Sequence, residues 1–226
     1  MAIINNTYGF VFVHIPKSGG TSLAHALEPL CTWRDLQLGG TKFGEGCHSL
    51  YQKKFGLSKH SFAAELNRNI GPDVWAQYTS FTVVRHPVQR TLSTYRYLWQ
   101  HRDHFEFIRP FEDFNSWVQS DKWQDAGPDR ILLPQTSWVN KDRFGSGRLV
   151  DVVIRLEQLD FGLKACLEKI GVPKPKVENV RIGMENKSLP HPNVEIDDTS
   201  LALIEQRYSA DYDSYGYKRG ELSFCP

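Results

Sequence analysis

The sequence predicts an α/β protein: a P-loop-like three-layer α/β/α architecture with a central parallel sheet, in a single domain over residues 1–226. Three observations carry this. The runs "GFVFVHI", "SFTVVR" and "LVDVVIRLE" have the length and apolar content of buried strands. Each is followed by a helical pattern: "TSLAHALEPL", "PVQRTLSTYRYLWQ" and "LDFGLKACLEKIG". The first of these junctions is a glycine-rich turn. Strands alternating with helices favour parallel pairing, with helices on the faces of the sheet. At 226 residues, 40% hydrophobic and 23% charged, the chain has the composition of an ordinary globular protein with one sizeable core.

The remaining elements follow in order. Residues 61–78 read as a helix, a break at Gly71–Pro72 and a short second helix that feeds the next strand. Residues 101–149 are less regular, with Pro110, Pro128 and Pro134, and are expected to form loops and short helices on the substrate side. Gly171, with Pro173 just beyond it, supplies a helix C-cap. "DDTSLALIEQRYSADY" opens on an Asp cap and carries Leu201, Leu203, Ile204 and Tyr208 at helical spacing, so it is the expected closing helix. The chain contains no internal repeat and no low-complexity segment.

Lys plus Arg (27) nearly cancel Asp plus Glu (26), and a net charge of +1 gives no general attraction to nucleic acid or to membranes. An anion site must come from local placement. One such placement is visible. Between Asp73 and Asp103 there is no carboxylate, while Arg85, Arg90, Arg96, Arg102, His86 and His101 all fall there, a candidate anion face or a solvated basic flank. The four cysteines (Cys31, Cys47, Cys166, Cys225) lack metal-ligand spacing and suit reduced thiols, with a Cys31–Cys47 disulfide as the alternative. The N-terminal apolar run spans about seven residues, without a preceding basic region or a cleavage site, and reads as a strand, not a signal peptide or membrane anchor. Taken as complete, the chain is expected in the cytoplasm.

The junction "PKSGGTS" has the parts of a phosphate loop. A strand entering a glycine-rich turn and then a helix gathers backbone N–H groups and the positive helix end around one point. Gly19 and Gly20 permit close approach, Thr21 and Ser22 offer hydroxyls, and Lys17 adds a mobile charge. The order departs from the triphosphate signature G-x-x-x-x-G-K-[ST], because the lysine precedes the glycines. No acidic strand end follows either. A shorter loop of this kind suits one phosphate.

A second constellation follows the next strand. Arg85 ends it, Pro87 starts a helix, and Ser93 lies about two turns in. An Arg fork and a Ser hydroxyl suit another phosphate, and strand ends of a parallel sheet share an edge, so the two sites are expected to serve a nucleotide phosphorylated at two places.

"PKSGGTS", followed roughly 60 residues later by "VVRHPVQRTLSTY", resembles the two donor motifs of sulfotransferases that use 3′-phosphoadenosine 5′-phosphosulfate (PAPS). The closer likeness is to the carbohydrate 2-O-sulfotransferase branch with its small bacterial members. It extends over most of the chain, through "KHSFAAELNRNIGPDVWAQYTSFTVVRHP", "LPQTSWV", "VIRLEQLDFGLKACLEKIGVP", "ENKSLPH" and "YSADYDSYGY". The resemblance implies the sulfotransferase fold and activity, PAPS as donor and its bisphosphate, PAP, as product. It also implies that Lys17, Ser18, Gly19, Gly20, Thr21 and Ser22 cradle the 5′-phosphosulfate and that Arg85 and Ser93 hold the 3′-phosphate. "RIGMENKSL" would be the late loop over the nucleotide, with Arg181, Asn186, Lys187 and Ser188 as candidates. His86, where many relatives carry Asn or Asp, is a departure.

Sulfuryl transfer needs an in-line acceptor oxygen, neutralisation of the leaving phosphate and a base. Lys17 is expected at the leaving group, and charge balance requires no metal. Among eight histidines, His60 aligns with the branch's His-containing segment and is the first choice of base. His48, expected in a polar loop, is second; Glu65 and His104 are further candidates. His14, inside a strand, reads as a packed core histidine or a wall of the site, and His25 as structural. Gln135, Trp138 and Arg155 are candidates for acceptor binding; Trp138 also fits core packing, and Arg155 an ion pair with Glu157. The expected acceptor is a hydroxyl on a carbohydrate, with no nucleic-acid partner and no membrane span. A P-loop kinase of small molecules or nucleotides and a non-catalytic nucleotide-binding module are the competing readings.

Overall fold

A computed structural model describes residues 1–120, 122–123, 125, 127–141, 147–183 and 194–221. The strands are β1 (Ala2–Asn5), β2 (Phe10–Val13), β3 (Leu36–Leu38), β4 (Thr79–Val84) and β5 (Val152–Arg155). The helices are α1 (Gly20–Leu27), α2 (Lys42–Phe55), α3 (Ala63–Ile70), α4 (Pro72–Gln77), α5 (Pro87–Gln100) and α6 (Phe114–Val118), then α7 (Thr136–Val139), α8 (Leu159–Ile170), α9 (Lys174–Asn179), α10 (Asp198–Arg207) and α11 (Ser209–Tyr215). The chain forms two compact units, residues 1–84 with 135–186 and residues 85–134 with 187–226.

The first unit holds the sheet, in the order β3-β1-β2-β4-β5. The three strands read from the sequence are β2, β4 and β5, and they pair in parallel, Phe12 against Phe81 and Val84 against Arg155. β1 and β3 extend this sheet antiparallel at one edge. Alternation along the strands sends Phe10, Phe12 and Phe81 to one face, with ring centroids 5.6 and 5.2 Å apart, where Leu23, Leu27, Leu163 and Leu167 of α1 and α8 join them. Val11, Val13, Thr82 and Val84 point the other way and are buried too. Burial on both faces explains why these strands read as continuous apolar runs. Gly162 lets α8 approach β5, since a Cβ there would stand 2.6 Å from Ile154 Cγ2. Gly171 ends α8 in the left-handed conformation, as expected of a C-cap.

One sequence expectation, for His48, is modified in this unit, and the expected reduced thiols are found. His48 lies on a helix, not in a polar loop. The Thr41 side chain caps α2 by accepting from Gly44 N at 3.1 Å, and Gly56 ends it. Gly44, which reads as a loop residue, is there because a Cβ would meet Gly39 O at 2.5 Å. Cys31 and Cys47 are free thiols, not a disulfide, and Cys166 is free as well.

The second unit is built on α5. Val88, Leu92, Tyr95 and Leu98 are buried on one helical face and pack with Phe114, Trp117, Trp123, Tyr208 and Tyr212. Aromatic rings run through this core, Tyr95 to Trp117 at 5.5 Å and Trp123 to Tyr208 at 6.0 Å. Asp197 caps α10, accepting from Ser200 N at 2.7 Å. Among the described residues, no helix is long and apolar enough to cross a membrane.

The antiparallel edge of the first unit is tied by Asp35. Its carboxylate accepts from the Thr7 N–H at 3.0 Å and hydroxyl at 2.7 Å, and from the Thr32 N–H at 2.7 Å and hydroxyl at 3.1 Å. These bonds hold its carboxyl below the usual range despite the opposing effect of burial. Asp35→Ala leaves the donors without a partner and is expected to cost about 1–3 kcal/mol, read as a lower urea midpoint at unchanged m-value.

Candidate active site

The site begins where β2 ends. After Val13 the chain must turn, and Pro16 and two glycines deliver it to α1. Lys17 takes φ +66°, a left-handed conformation that costs a non-glycine residue on the order of 1–2 kcal/mol. Gly19, the N-cap of α1, takes φ +80° without strain. Alternating left-handed residues turn successive N–H groups toward one side, the form of an anion-binding nest. No side chain caps α1, and its first turn contains no acidic residue, so its positive end is available to an anion.

Two contacts hold this loop. A Cβ on Gly20 would stand 1.7 Å from Nε2 of His14, and one on Gly19 would stand 2.7 Å from Cδ1 of Leu156. The loop therefore rests on the His14 ring and against the residue that follows β5. Gly19 is required by its left-handed backbone, and a side chain at Gly20 would displace the His14 ring. Ser18 is buried and its hydroxyl donates to Oε1 of Gln135 at 3.3 Å, so Ser18 offers its backbone, not its hydroxyl, to a ligand. Thr21 is exposed and Ser22 half-buried at the helix start.

His60 lies beside His14, with ring centroids 4.6 Å apart. A turn sets it: Ser58 N donates to the Ser61 hydroxyl at 2.9 Å, and His60 N donates to the Ser58 hydroxyl at 3.2 Å. Trp138, fully buried, packs on Phe62 at 4.6 Å and presents an edge relation to His60 at 6.2 Å. Its place is in the wall behind His60. Nδ1 of His60 and Nε2 of His48 are buried ring nitrogens without a hydrogen-bond partner among the described residues.

Burial pushes His60 well below the ordinary imidazole range. Nearby positive charges, the α-amino group of Met1, Lys59 and His48, push it further down, against hydrogen bonding to the His14 backbone. His14 is pushed well down as well, by burial first, then by the same amino group and by His60. Both rings are thus neutral at neutral pH.

The other candidates separate. Gln135, through Ser18, and His48, through its charge on His60, join the loop and His60 in the first unit. Arg155 ends β5, half-buried. Glu65 has a structural use: its carboxylate accepts from Phe62 N at 3.0 Å and caps α3. His25 is exposed on α1. In the second unit, Arg85 follows β4 directly and Ser93 lies on α5, both half-buried, and His104 is exposed. Of the basic residues between Asp73 and Asp103, Arg90 serves the structure, donating to the Leu133 and Ile131 carbonyls at 2.9 and 2.8 Å. His86 is buried against Tyr212 and Tyr217. Arg181 is exposed and donates to the Val180 carbonyl at 3.2 Å. Asn186, Lys187 and Ser188 lie outside the described residues. Sequence reasoning missed Leu156 and the use of Gln135, and undervalued His14, although a histidine two residues before Pro16 and close to a Gly-Gly pair was a visible signal.

A strand, a lysine-bearing glycine loop and an uncapped helix that converge in an α/β fold make a place suited to a phosphate group. The sequence model of the sulfotransferase family matches residues 1–218, through both units, and the chain belongs to that family. No curated protein and no solved structure matches it significantly.

Two predictions follow from the geometry. Lys17→Gly removes the left-handed strain and is expected to melt no lower than wild type, with a gain of up to about 1 kcal/mol; a substantially lower melting temperature contradicts the strain. His14 and His60 have folded-state values below their unfolded ones, so the unfolded chain takes up more protons under mild acid. Their stabilising effect is complete above the ordinary imidazole range and is lost as pH falls through and below it. Thermal melts from pH 7.5 to 5 are expected to show this decline, and His14→Gln to flatten it.

Proposed function

We propose that this sulfotransferase moves a sulfuryl group from PAPS to a hydroxyl of a carbohydrate acceptor and releases PAP. The observation that carries the reading is the loop from Lys17 to Ser22. A left-handed lysine, two glycines at places that resist side chains and an uncapped helix end suit one phosphate bearing a transferable group. The family match supports sulfuryl transfer as the reaction.

In this reading the N–H groups of residues 18–22 and the Thr21 and Ser22 hydroxyls bind the 5′-phosphosulfate. Lys17 neutralises the charge that grows on the 5′-phosphate as its bond to sulfur breaks and the acceptor oxygen takes the sulfuryl group. Arg85 and Ser93 bind the 3′-phosphate, and Arg181, Asn186, Lys187 and Ser188 close over the nucleotide, as the family resemblance implies. His60 removes the acceptor proton, and its neutral form at working pH suits a base. His48 stands second for that role. Arg155 is offered to the acceptor, whereas Gln135 and Trp138 act on it through Ser18 and His60.

Thermal shift separates this from a kinase. Stabilisation by 3′,5′-adenosine bisphosphate without magnesium is expected, and stabilisation only by ATP with magnesium would overturn the reading. Transfer from labelled PAPS to a panel of polysaccharides should fall by about 10²–10⁴ in kcat in His60→Ala, with bisphosphate binding retained. Full activity in His60→Ala together with loss in His48→Ala would move the base to His48.

A further inference from the structure

The ring of His14 has a position that neither the donor loop nor the base explains by itself. Its Nε2 edge lies under Gly20, where an added Cβ would come within 1.7 Å. One face lies against His60 at 4.6 Å, with the planes tilted by 37°. Phe12 stacks at 6.2 Å on the strand side, and the ring is almost wholly closed from solvent. Nδ1 meets the amino group of Met1. The His14 ring therefore touches both the start of α1 and His60.

We infer that His14 is a positioning residue: its ring is the spacer that fixes His60 relative to the donor loop, so that a displacement of the loop at Gly20 is passed on to the base. The inference rests on the reading of His60 as base given above. A close-packed interior transmits such a shift because it has no free volume to absorb it. A histidine suits the place better than an aliphatic residue, since a flat ring fits beneath a glycine while its nitrogens and backbone bond to the elements on either side. His14 touches neither reacting oxygen in this scheme; it acts through His60.

The groups that bear electrostatically on His60 are the amino group of Met1 beside β1, Lys59 from its own turn and His48 from α2, while the His14 backbone acts in the opposite sense. Glu45 of α2 is the negative charge nearby, 4.0 Å from Lys59 and accepting from Gly40 N at 2.9 Å. A proton on His60 thus meets mainly positive neighbours. Removing the His14 ring opens the packing beside His60 and relieves its burial, which favours the protonated form.

The test compares wild type, His14→Asn, His14→Gln and His60→Ala as full-length chains with labelled PAPS and a polysaccharide acceptor. The expected result for both His14 variants is a kcat lower by at least about tenfold and an acid limb of the pH profile moved up toward the ordinary imidazole range. A merely structural role would lower the melting temperature and leave the acid limb where it is, which would overturn the inference. If the His14 variants do not fold, wild type decides: in the imidazole region of a ¹⁵N NMR spectrum, 3′,5′-adenosine bisphosphate should shift the His14 and His60 signals together. A His60 shift with His14 unmoved would overturn it. Full activity in His60→Ala would instead remove the base reading, while an inactive His60→Ala beside an unchanged His14 profile removes only the positioning role.

Discussion

The first unit depends on one steric constraint: the loop from Lys17 to Ser22 resists side chains at two consecutive positions, Gly19 by its left-handed backbone and Gly20 by its neighbour. Gly19 is closed by Leu156 and Gly20 by His14. Both neighbours are fixed by the sheet, His14 immediately after β2 and Leu156 immediately after β5, and parallel pairing through β4 brings these strand ends to the same edge. The aromatic packing of Phe10, Phe12 and Phe81 sets the strand positions in turn. Core packing, strand register and loop conformation are thus one chain of causes, which ends in the left-handed backbone of Lys17.

Electrostatics complements the sterics. The chain as a whole carries almost no net charge, so an anion is drawn by placement: an uncapped helix start, one lysine and, around His60, a neighbourhood in which positive groups outnumber negative ones. Burial first, and then such a neighbourhood, keep His60 neutral. A neutral imidazole close to a site for an anionic donor can accept a proton without first losing one, and this is what the proposed transfer requires.

What the sequence made legible, and what it hid, follows from the range of the interactions. β2 and β4 are readable because burial on both faces makes each a continuous apolar run, β5 because its apolar run leads directly into a helical pattern, and the caps at Gly171 and Asp197 because capping is local. β1 and β3 pair antiparallel at the sheet edge and lack the readable strand-to-helix pattern that marks the others. α2 was obscured by Gly44, whose reason lies in a contact with Gly39 across the turn that precedes the helix. In the site, Lys17 to Ser22 are consecutive and could be read directly. The pairing of Ser18 with Gln135 spans 117 residues, and the stacking of His14 on His60 joins a strand end to a distant turn; both exist only once the chain is folded. Arg90 shows the opposite case, a residue that reads as an anion ligand in sequence and whose guanidinium is consumed by two carbonyls.

The central claim is that the loop from Lys17 to Ser22 is the donor site. Hydrogen exchange, followed by mass spectrometry with and without 3′,5′-adenosine bisphosphate, tests it on the backbone itself. Slower exchange of the amides from Ser18 to Leu23 on adding the bisphosphate, absent with adenosine, is the predicted result. Unchanged exchange across that segment under saturating bisphosphate, with protection elsewhere in the chain, would contradict it.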